Sequence, residues 1–186
     1  MPYPNIDEFR VSLATGGARP TLFSINCVFP TALQAQAGNG LQTPQRKLFF
    51  SARAASIPED SIGQIGIAHF GRIIKVPGDR TYSNWTTTVI NDEDFTVRRA
   101  LEQWHQGLNR VIENNRIPEF SVQAGYKTIV NVIQYNKIGD PIKSYDLYGA
   151  WPMSVSGIDL NWNDQNTIEE FSVTWSYDYW LTNDVQ

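Results

Sequence analysis

The sequence has one cysteine, Cys27, so no disulfide can form within the chain. This usage is typical of a protein that folds in the cytosol. No apolar run approaches the roughly 20 residues that a helix needs to cross a bilayer. The N-terminus also has no basic stretch followed by an apolar one. We therefore expect neither a membrane-spanning segment nor a secretion signal.

Residues that commonly act in catalysis or metal binding are also scarce. There are two histidines, His69 and His105, and neither has a cysteine nearby in the sequence. No phosphate-binding glycine loop, nucleophile elbow or zinc signature occurs. Residues 159–170 imitate a calcium loop, but Asp164 stands where that loop needs glycine. We expect no enzyme, no cofactor and no metal site.

Basic residues are rare in the last quarter of the chain. The net charge is −4, and the chain from Asp140 onward contains eight acidic residues and only one basic residue, Lys143. A surface this acidic argues against gripping a phosphate backbone.

What the chain does contain is β-strand pattern. With 186 residues, no repeat and no long linker, we expect one domain over residues 1–186. Residues 31–47 are predicted to be a loop. Strands rich in β-branched and aromatic residues are predicted at 21–29, 47–58, 62–76, 85–90, 128–135, 143–151 and 155–162. The fold class expected is mainly antiparallel β, sandwich-like or barrel-like, with one principal flanking helix.

That helix is predicted over residues 92–108, with a second short helical piece at 110–118. Acidic residues at 92–94 suit a helix N-terminus. An apolar stripe runs along one face, at Val97, Leu101, Trp104 and Leu108. Before the helix, Pro77-Gly78-Asp79 is predicted to be the turn of a long hairpin within residues 63–90.

The last strand has the clearest pattern, a strict alternation over residues 169–179. At about 3.3 Å per residue it would span roughly 36 Å. The odd positions are apolar or aromatic: Phe171, Val173, Trp175, Tyr177 and Tyr179. The first four of them should face the core. The even positions are polar: Glu170, Ser172, Thr174, Ser176 and Asp178. A long strand at the edge of a sheet pairs with other chains unless it is covered. If the sheets of several subunits join into a ring, they enclose an aqueous bore, and the polar face of this strand would give that bore a polar, negative wall.

Several stretches carry a family resemblance. They are ARPTLF (18–23), GRIIKVPGDRTYSNWTTTVINDEDFTVRRALEQW (71–104) and YGAWPMSVSGIDLNWNDQNTIEEFSVTWSYDYW (148–180), with looser matches at 52–58 and 132–140. With these segments the chain resembles the tail tube proteins of contractile-tailed, T4-like bacteriophages. Residues 31–47 and 109–127 carry no resemblance.

The resemblance implies hexameric rings whose sheets join into one inner β-barrel and stack into a tube. The implied partners are further copies of the chain, a contractile sheath, a baseplate and a tape-measure protein. DNA would pass through transiently without specific binding, and the tube would penetrate the host envelope. It implies no enzymatic activity, a place in the virion tail and assembly in the host cytoplasm.

The resemblance also assigns positions. Residues 63–90, 128–135 and 167–180 would form the barrel wall, and the helix at 92–106 would lie outside, toward the sheath. Glu170, Ser172, Thr174, Ser176 and Asp178 would face the lumen. Residues implied as fold or ring contacts are Gly78, Asp79, Arg80, Trp85, Trp151, Pro152 and Trp180.

Two alternatives stay open. One is a tube-like protein of the baseplate, of the tail terminus or of a phage-related injection device. The other is a monomeric carbohydrate-binding β-sandwich that uses the six tryptophans. Trp85, Trp104 and Trp175 all fall on apolar faces of their elements, which favours a core role.

Overall fold

The computed structural model describes residues 5–14, 16–31, 33 and 42–184. The strands are β1 (Phe23–Cys27), β2 (Ala52–Ala55), β3 (Asp60–His69), β4 (Arg72–Tyr82), β5 (Trp85–Ile90), β6 (Thr128–Tyr135), β7 (Pro141–Val155), β8 (Glu170–Ser176) and β9 (Tyr179–Asp184). The helices with described bounds are α1 (Ile6–Ser12), α2 (Gln42–Ser51), α3 (Thr96–Leu108) and α4 (Gln123–Tyr126), and a 3-10 helix covers Pro118–Ser121. The predicted fold class, mainly antiparallel β with a flanking helix, is confirmed.

Seven strands form one antiparallel sheet in the order β1-β6-β7-β8-β5-β2, and β9 also pairs with β7. The long strand β7 pairs with β6 and β9 along its first part, and with β8 from Trp151 to Val155. Gly149 lies where β7 changes partners, with φ 68°, a left-handed conformation that favours glycine. Strands β3 and β4 form a separate two-stranded sheet.

Helix α3 packs its predicted stripe against the apolar face of the sheet. Val97, Leu101 and Trp104 are at most 3% exposed. The Trp104 ring centroid lies 5.5 Å from that of Phe29 and 6.1 Å from that of Trp175, at the tilted geometries that aromatic pairs prefer. The core therefore lies between α3 and the sheet.

Helix α2 was not predicted. Residues 42–47 were expected in a loop and 47–51 in a strand, but Gln42–Ser51 forms a helix and only Ala52–Ala55 is a strand. Pro44 falls in the first turn, where a missing N–H is tolerated, and Leu48 is 1% exposed. Residues 32 and 34–41 of the predicted loop lie outside the described residues.

Two other predictions were wrong. Residues 110–117 form turns instead of a helical piece, and the 3-10 helix begins only at Pro118. Strand β7 ends at Val155, so residues 156–162 lie in a loop before β8. None of the helices in the described ranges is long and apolar enough to cross a membrane.

Candidate assembly surfaces

The outer face of β5 and β8 is lined by hydroxyl groups. On β8, Phe171, Val173 and Trp175 are at most 2% exposed, while the residues between them are half-buried. The alternation predicted for this strand is confirmed from Glu170 to Ser176. In the register, Thr86 and Thr88 of β5 lie beside Thr174 and Ser172 of β8. We call these hydroxyl residues the hydroxyl face: Thr86, Thr88, Ser172, Thr174 and Ser176.

The strand predicted over residues 169–179 is interrupted. Strand β8 ends at Ser176, and the chain resumes at Tyr179 as β9, which pairs with β7. At the break, the Asp178 N–H donates to the Tyr148 carbonyl at 2.9 Å. A Cβ on Gly149 would overlap the Asp178 carboxylate, so glycine there makes room for the bend.

Both carboxylates predicted to line the lumen are held in ion pairs. Arg53, in the bulge of β2, pairs with Glu170. The Lys127 ammonium lies 2.7 and 2.8 Å from the two oxygens of Asp178, and the Lys127 side chain is only 15% exposed. The sequence predicted a negative wall. The structure shows that each of these two carboxylates is paired with a cation from a distant segment of the chain, which the sequence pattern did not reveal.

A hairpin of β3 and β4 extends from the sheet. Phe70 and Gly71 close it, with φ values of 45° and 78° between the paired residues His69 and Arg72. Positive φ at both central residues is typical of the type I′ turn, which suits the twist of a hairpin. The turn predicted at residues 77–79 was wrong, because Pro77-Gly78-Asp79 lies within β4.

A β-bulge explains why residues 77–79, which have turn composition, lie within a strand. The pairing shifts between Ile62 and Gln64, opposite Gly78. A Cβ on Gly78 would lie 3.2 Å from the Gly63 carbonyl oxygen, so two glycines let the strands approach here. Beside the bulge, the Arg80 guanidinium lies 3.2 Å from the Asp60 carboxylate. This ion pair links β4 to the first residue of β3.

One face of the hairpin is apolar and uncovered. Ile65 pairs with Val76 and Ile67 with Ile74, so the four side chains share a face. The three isoleucines are 51–58% exposed. We call these four residues the isoleucine face. This face was not predicted, although the alternation of Ile65 with Ile67 and of Ile74 with Val76 indicates it in the sequence.

The aromatic residues predicted as fold or ring contacts pack inside the subunit. Trp85 is 2% exposed, and its indole N–H donates to the Ser56 carbonyl at 2.6 Å. Pro152 is buried, and Trp151 and Trp180 are half-buried against the core. Of the seven predicted residues, only Gly78, Asp79 and Arg80 lie on the exposed hairpin.

The remaining polar groups do not converge. His69 lies beside the hairpin turn, whereas the His105 ring N–H donates to the Pro152 carbonyl at 3.1 Å. Within the described ranges, no group of three or more histidine, cysteine, aspartate or glutamate side chains could hold a metal ion. Cys27 is fully buried, and burial raises the pKa of its thiol.

A groove of about 840 Å³ lies between α2 and α3. The Lys47 ammonium lies there, 2.5 Å from Asp92 and 3.2 Å from Asp94. Hydrogen bonding to Asp92 raises the pKa of Lys47 despite partial desolvation. Burial acts to raise the pKa of Asp92, but the hydrogen bonds from Lys47 and Thr96 outweigh it and lower that pKa. This cluster fixes the start of α3 against α2.

Comparison with known structures supports the same architecture. The tube-terminating cap of the anti-feeding prophage has a TM-score of 0.62 at 15% identity, with 91% of this chain and 92% of that chain covered. The sheath-tube complex of an extracellular contractile injection system, in its extended state, has a TM-score of 0.56 at 14% identity, with 98% and 100% covered. At these identities the likeness concerns the fold.

Sequence relatives are more specific. The tail tube protein gp19 of Enterobacteria phage T4 is 32% identical over 135 residues, covering 70% of this chain and 79% of the relative. The tail tube protein of Serratia phage KSP90 is 24% identical over 174 residues, covering 92% and 93%. The family described as phage tail tube protein matches residues 18–183. The chain belongs to the phage tail tube protein family and is a structural subunit of a tail tube.

Proposed function

We propose that copies of this subunit form hexameric rings that stack into a hollow tube, with residues 1–186 acting as a single tail-tube domain. The tube conducts DNA and penetrates the host envelope, and it has no enzymatic activity. It assembles in the host cytoplasm and becomes part of the virion tail. DNA passes through it transiently, without specific binding.

The observation that carries this proposal is the β3–β4 hairpin. Each strand has one unpaired edge within the described structure, and at about 3.3 Å per residue the ten residues of β3 span about 33 Å. A free edge of this length, beside an uncovered isoleucine face, is a template for pairing with another chain. Closing the sheets of several subunits into a barrel removes these edges.

In such a barrel the hydroxyl face lines the bore. Ser172, Thr174 and Ser176 face the lumen, and Glu170 and Asp178 lie at its margins in their ion pairs. A lining of hydroxyl groups and paired charges neither binds the DNA phosphates through free cations nor repels them strongly. Gly78, Asp79 and Arg80 act at contacts between subunits through the hairpin, while Trp85, Trp151, Pro152 and Trp180 support the fold behind them.

The remaining partners follow from the tail tube role. A contractile sheath surrounds the tube on the side of α3, a baseplate carries it, and a tape-measure protein occupies the bore before DNA enters. One structurally similar chain comes from a sheath-tube complex. The outward face of α3 is polar and exposed at residues such as Gln103, which leaves it free for a sheath contact.

Negative-stain microscopy of the purified protein at rising concentration tests the proposal. We expect rings or tubes from the unmodified chain and no assembly from Ile67→Asp, because this change puts a charge in the isoleucine face. Ile138→Asp, at an 87% exposed isoleucine outside the hairpin, is the matched control and should assemble. Persistent monomers that bind a glycan would instead support the carbohydrate-binding alternative.

A further inference from the structure

The loop between β7 and β8 presents a large aromatic side chain to solvent. Trp162 is 98% exposed, and two further apolar side chains of the loop, Leu160 and Ile168, are 81% and 70% exposed. At the centre of the loop, the Asn161 amide donates to the Asp164 carboxylate at 3.1 Å. Folding of the single chain therefore leaves an apolar knob uncovered, which is typical of an interaction site.

A cleft of about 410 Å³ lies at the C-terminal end of α3. Ile117, 3% exposed, lies deep in its wall, and Val111 and Ile112 at its edge are 78% and 90% exposed. The backbone holds the cleft in place, because the Ile117 N–H donates to the carbonyl of Gly107 at 3.2 Å. This is a second apolar surface that the single chain leaves open.

The knob and the cleft lie at opposite ends of the same helix. Arg98, in the first turn of α3, donates to the Ser156 carbonyl at the start of the knob loop at 3.0 Å. The cleft is formed by the last turn of α3 and the segment that follows it. The 13 residues of α3 span about 20 Å, so knob and cleft are two separate surfaces of the subunit.

Their charges are complementary. Asp159 and Asp164 flank Trp162, and the loop from 156 to 168 contains no basic residue. Arg110 lines the cleft, and its guanidinium makes no ion pair or hydrogen bond with any other described residue. Glu113 is the one acidic residue in the cleft lining. An apolar knob with acidic flanks and an apolar cleft that contains an arginine are complementary in shape class and charge.

We propose that Trp162 of one subunit inserts into the 107–117 cleft of a second copy of this chain. The inference rests on the proposed function, because only a repeating assembly gives every knob a cleft. A head-to-tail contact of this kind uses two different patches, so it propagates from copy to copy without being self-complementary. Asp159 and Asp164 of the first copy then lie near Arg110 of the second.

Cross-linking between single-cysteine variants tests this contact. Trp162→Cys and Ile112→Cys subunits are mixed, assembled and treated with a short bis-maleimide. We expect a cross-linked dimer from the mixture, at least tenfold above the yield from either variant alone. Cys27 is 0% exposed, and the unmodified chain controls for its reaction. Trp162→Cys mixed with Gln103→Cys, on the middle of α3, is the matched negative pair.

The outcomes separate this contact from the proposed function. Rings or tubes that form without the dimer overturn the contact and leave the tube intact. Self-linking of Trp162→Cys overturns it as well, because the contact would then be symmetric. Absence of any assembly, also from the unmodified chain, counts against the tube and the contact together. As a second measurement, Trp162→Phe should assemble, whereas Trp162→Asp should need at least tenfold more protein.

Discussion

Asp92 joins the start of α3 to α2. One of its carboxylate oxygens accepts the Thr96 N–H at 3.0 Å, and the other lies 2.5 Å from the Lys47 ammonium. The helix begins at Thr96, four residues later than the sequence predicted. Asp92 lies before the helix and accepts a hydrogen bond from the first helical N–H. Asp94 contacts the same lysine but is 81% exposed.

Asp92→Ala should therefore lower the free energy of unfolding by about 1 kcal/mol, the usual effect of losing a helix N-terminal acceptor. Urea titration at pH 7 measures this. Asp94→Ala is the matched control, and its effect should stay below about 0.5 kcal/mol, since exposed ion pairs contribute little. Equal effects would show that the Thr96 hydrogen bond is unimportant.

The same pair predicts a pH dependence. Because the folded-state pKa of Asp92 is lowered, its stabilising contribution is present above the unfolded pKa and is lost as pH falls through the folded value. The pKa of Lys47 is raised, so its contribution is lost only at high pH. The difference between the unmodified chain and Asp92→Ala should shrink below about pH 4. A difference that stays constant down to pH 2 would contradict this.

Gly149 combines a positive φ with a crowded site. Gly149→Ala should destabilise the fold by about 1–2 kcal/mol from the left-handed backbone and by about 1 kcal/mol more from overlap with Asp178. Gly71 has a similar φ of 78° but nothing near its missing Cβ, so Gly71→Ala isolates the backbone part. Thermal unfolding of both variants measures the difference, and equal losses would exclude a role for the Asp178 overlap.

The residue scale is where the sequence was least informative. Period-2 patterning placed Phe171, Val173 and Trp175 in the core correctly, because alternation depends only on neighbours along the chain. It could not show that Glu170 pairs with Arg53 or Asp178 with Lys127, since those partners lie 117 and 51 residues away in the chain and meet only through the sheet register.

Elements with one strong periodicity were predicted well. Strand β6 has the bounds predicted for it, and α3 buries its predicted stripe. The failures came where two signals compete. Residues 47–51 contain an apolar run that indicates a strand, yet they end helix α2, and Pro77-Gly78-Asp79 has turn composition but forms part of a bulge in β4.

The hairpin should change its protection on assembly. Its outer edges make no hydrogen bonds to the other described strands, so their amides should exchange rapidly in free subunits. In assembled tubes, exchange over residues 60–82 should slow at least tenfold, while β6 in the core should change little. Hydrogen exchange with mass spectrometry measures both, and equal protection of the hairpin in the two states would argue against edge pairing.

At the scale of the whole molecule, the orientation of the hydroxyl face is the central expectation. A thiol introduced by Thr174→Cys should react with a bulky maleimide in free subunits. In tubes the rate of this reaction should fall at least tenfold, because the bore restricts entry of the reagent. Gln103→Cys on the outer face of α3 should stay reactive in both. Protection of Gln103→Cys with free reaction at Thr174→Cys would reverse the assignment.

Strand β7 gives the subunit a mechanical property. It runs for 15 residues and is hydrogen-bonded to β6, β8 and β9, so a force along it is shared by three neighbours. Pulling along the strand loads these bonds in shear, many at once, and not one at a time as in peeling. In the proposed tube, a load directed along β7 would therefore be distributed over hydrogen bonds to both halves of the sheet.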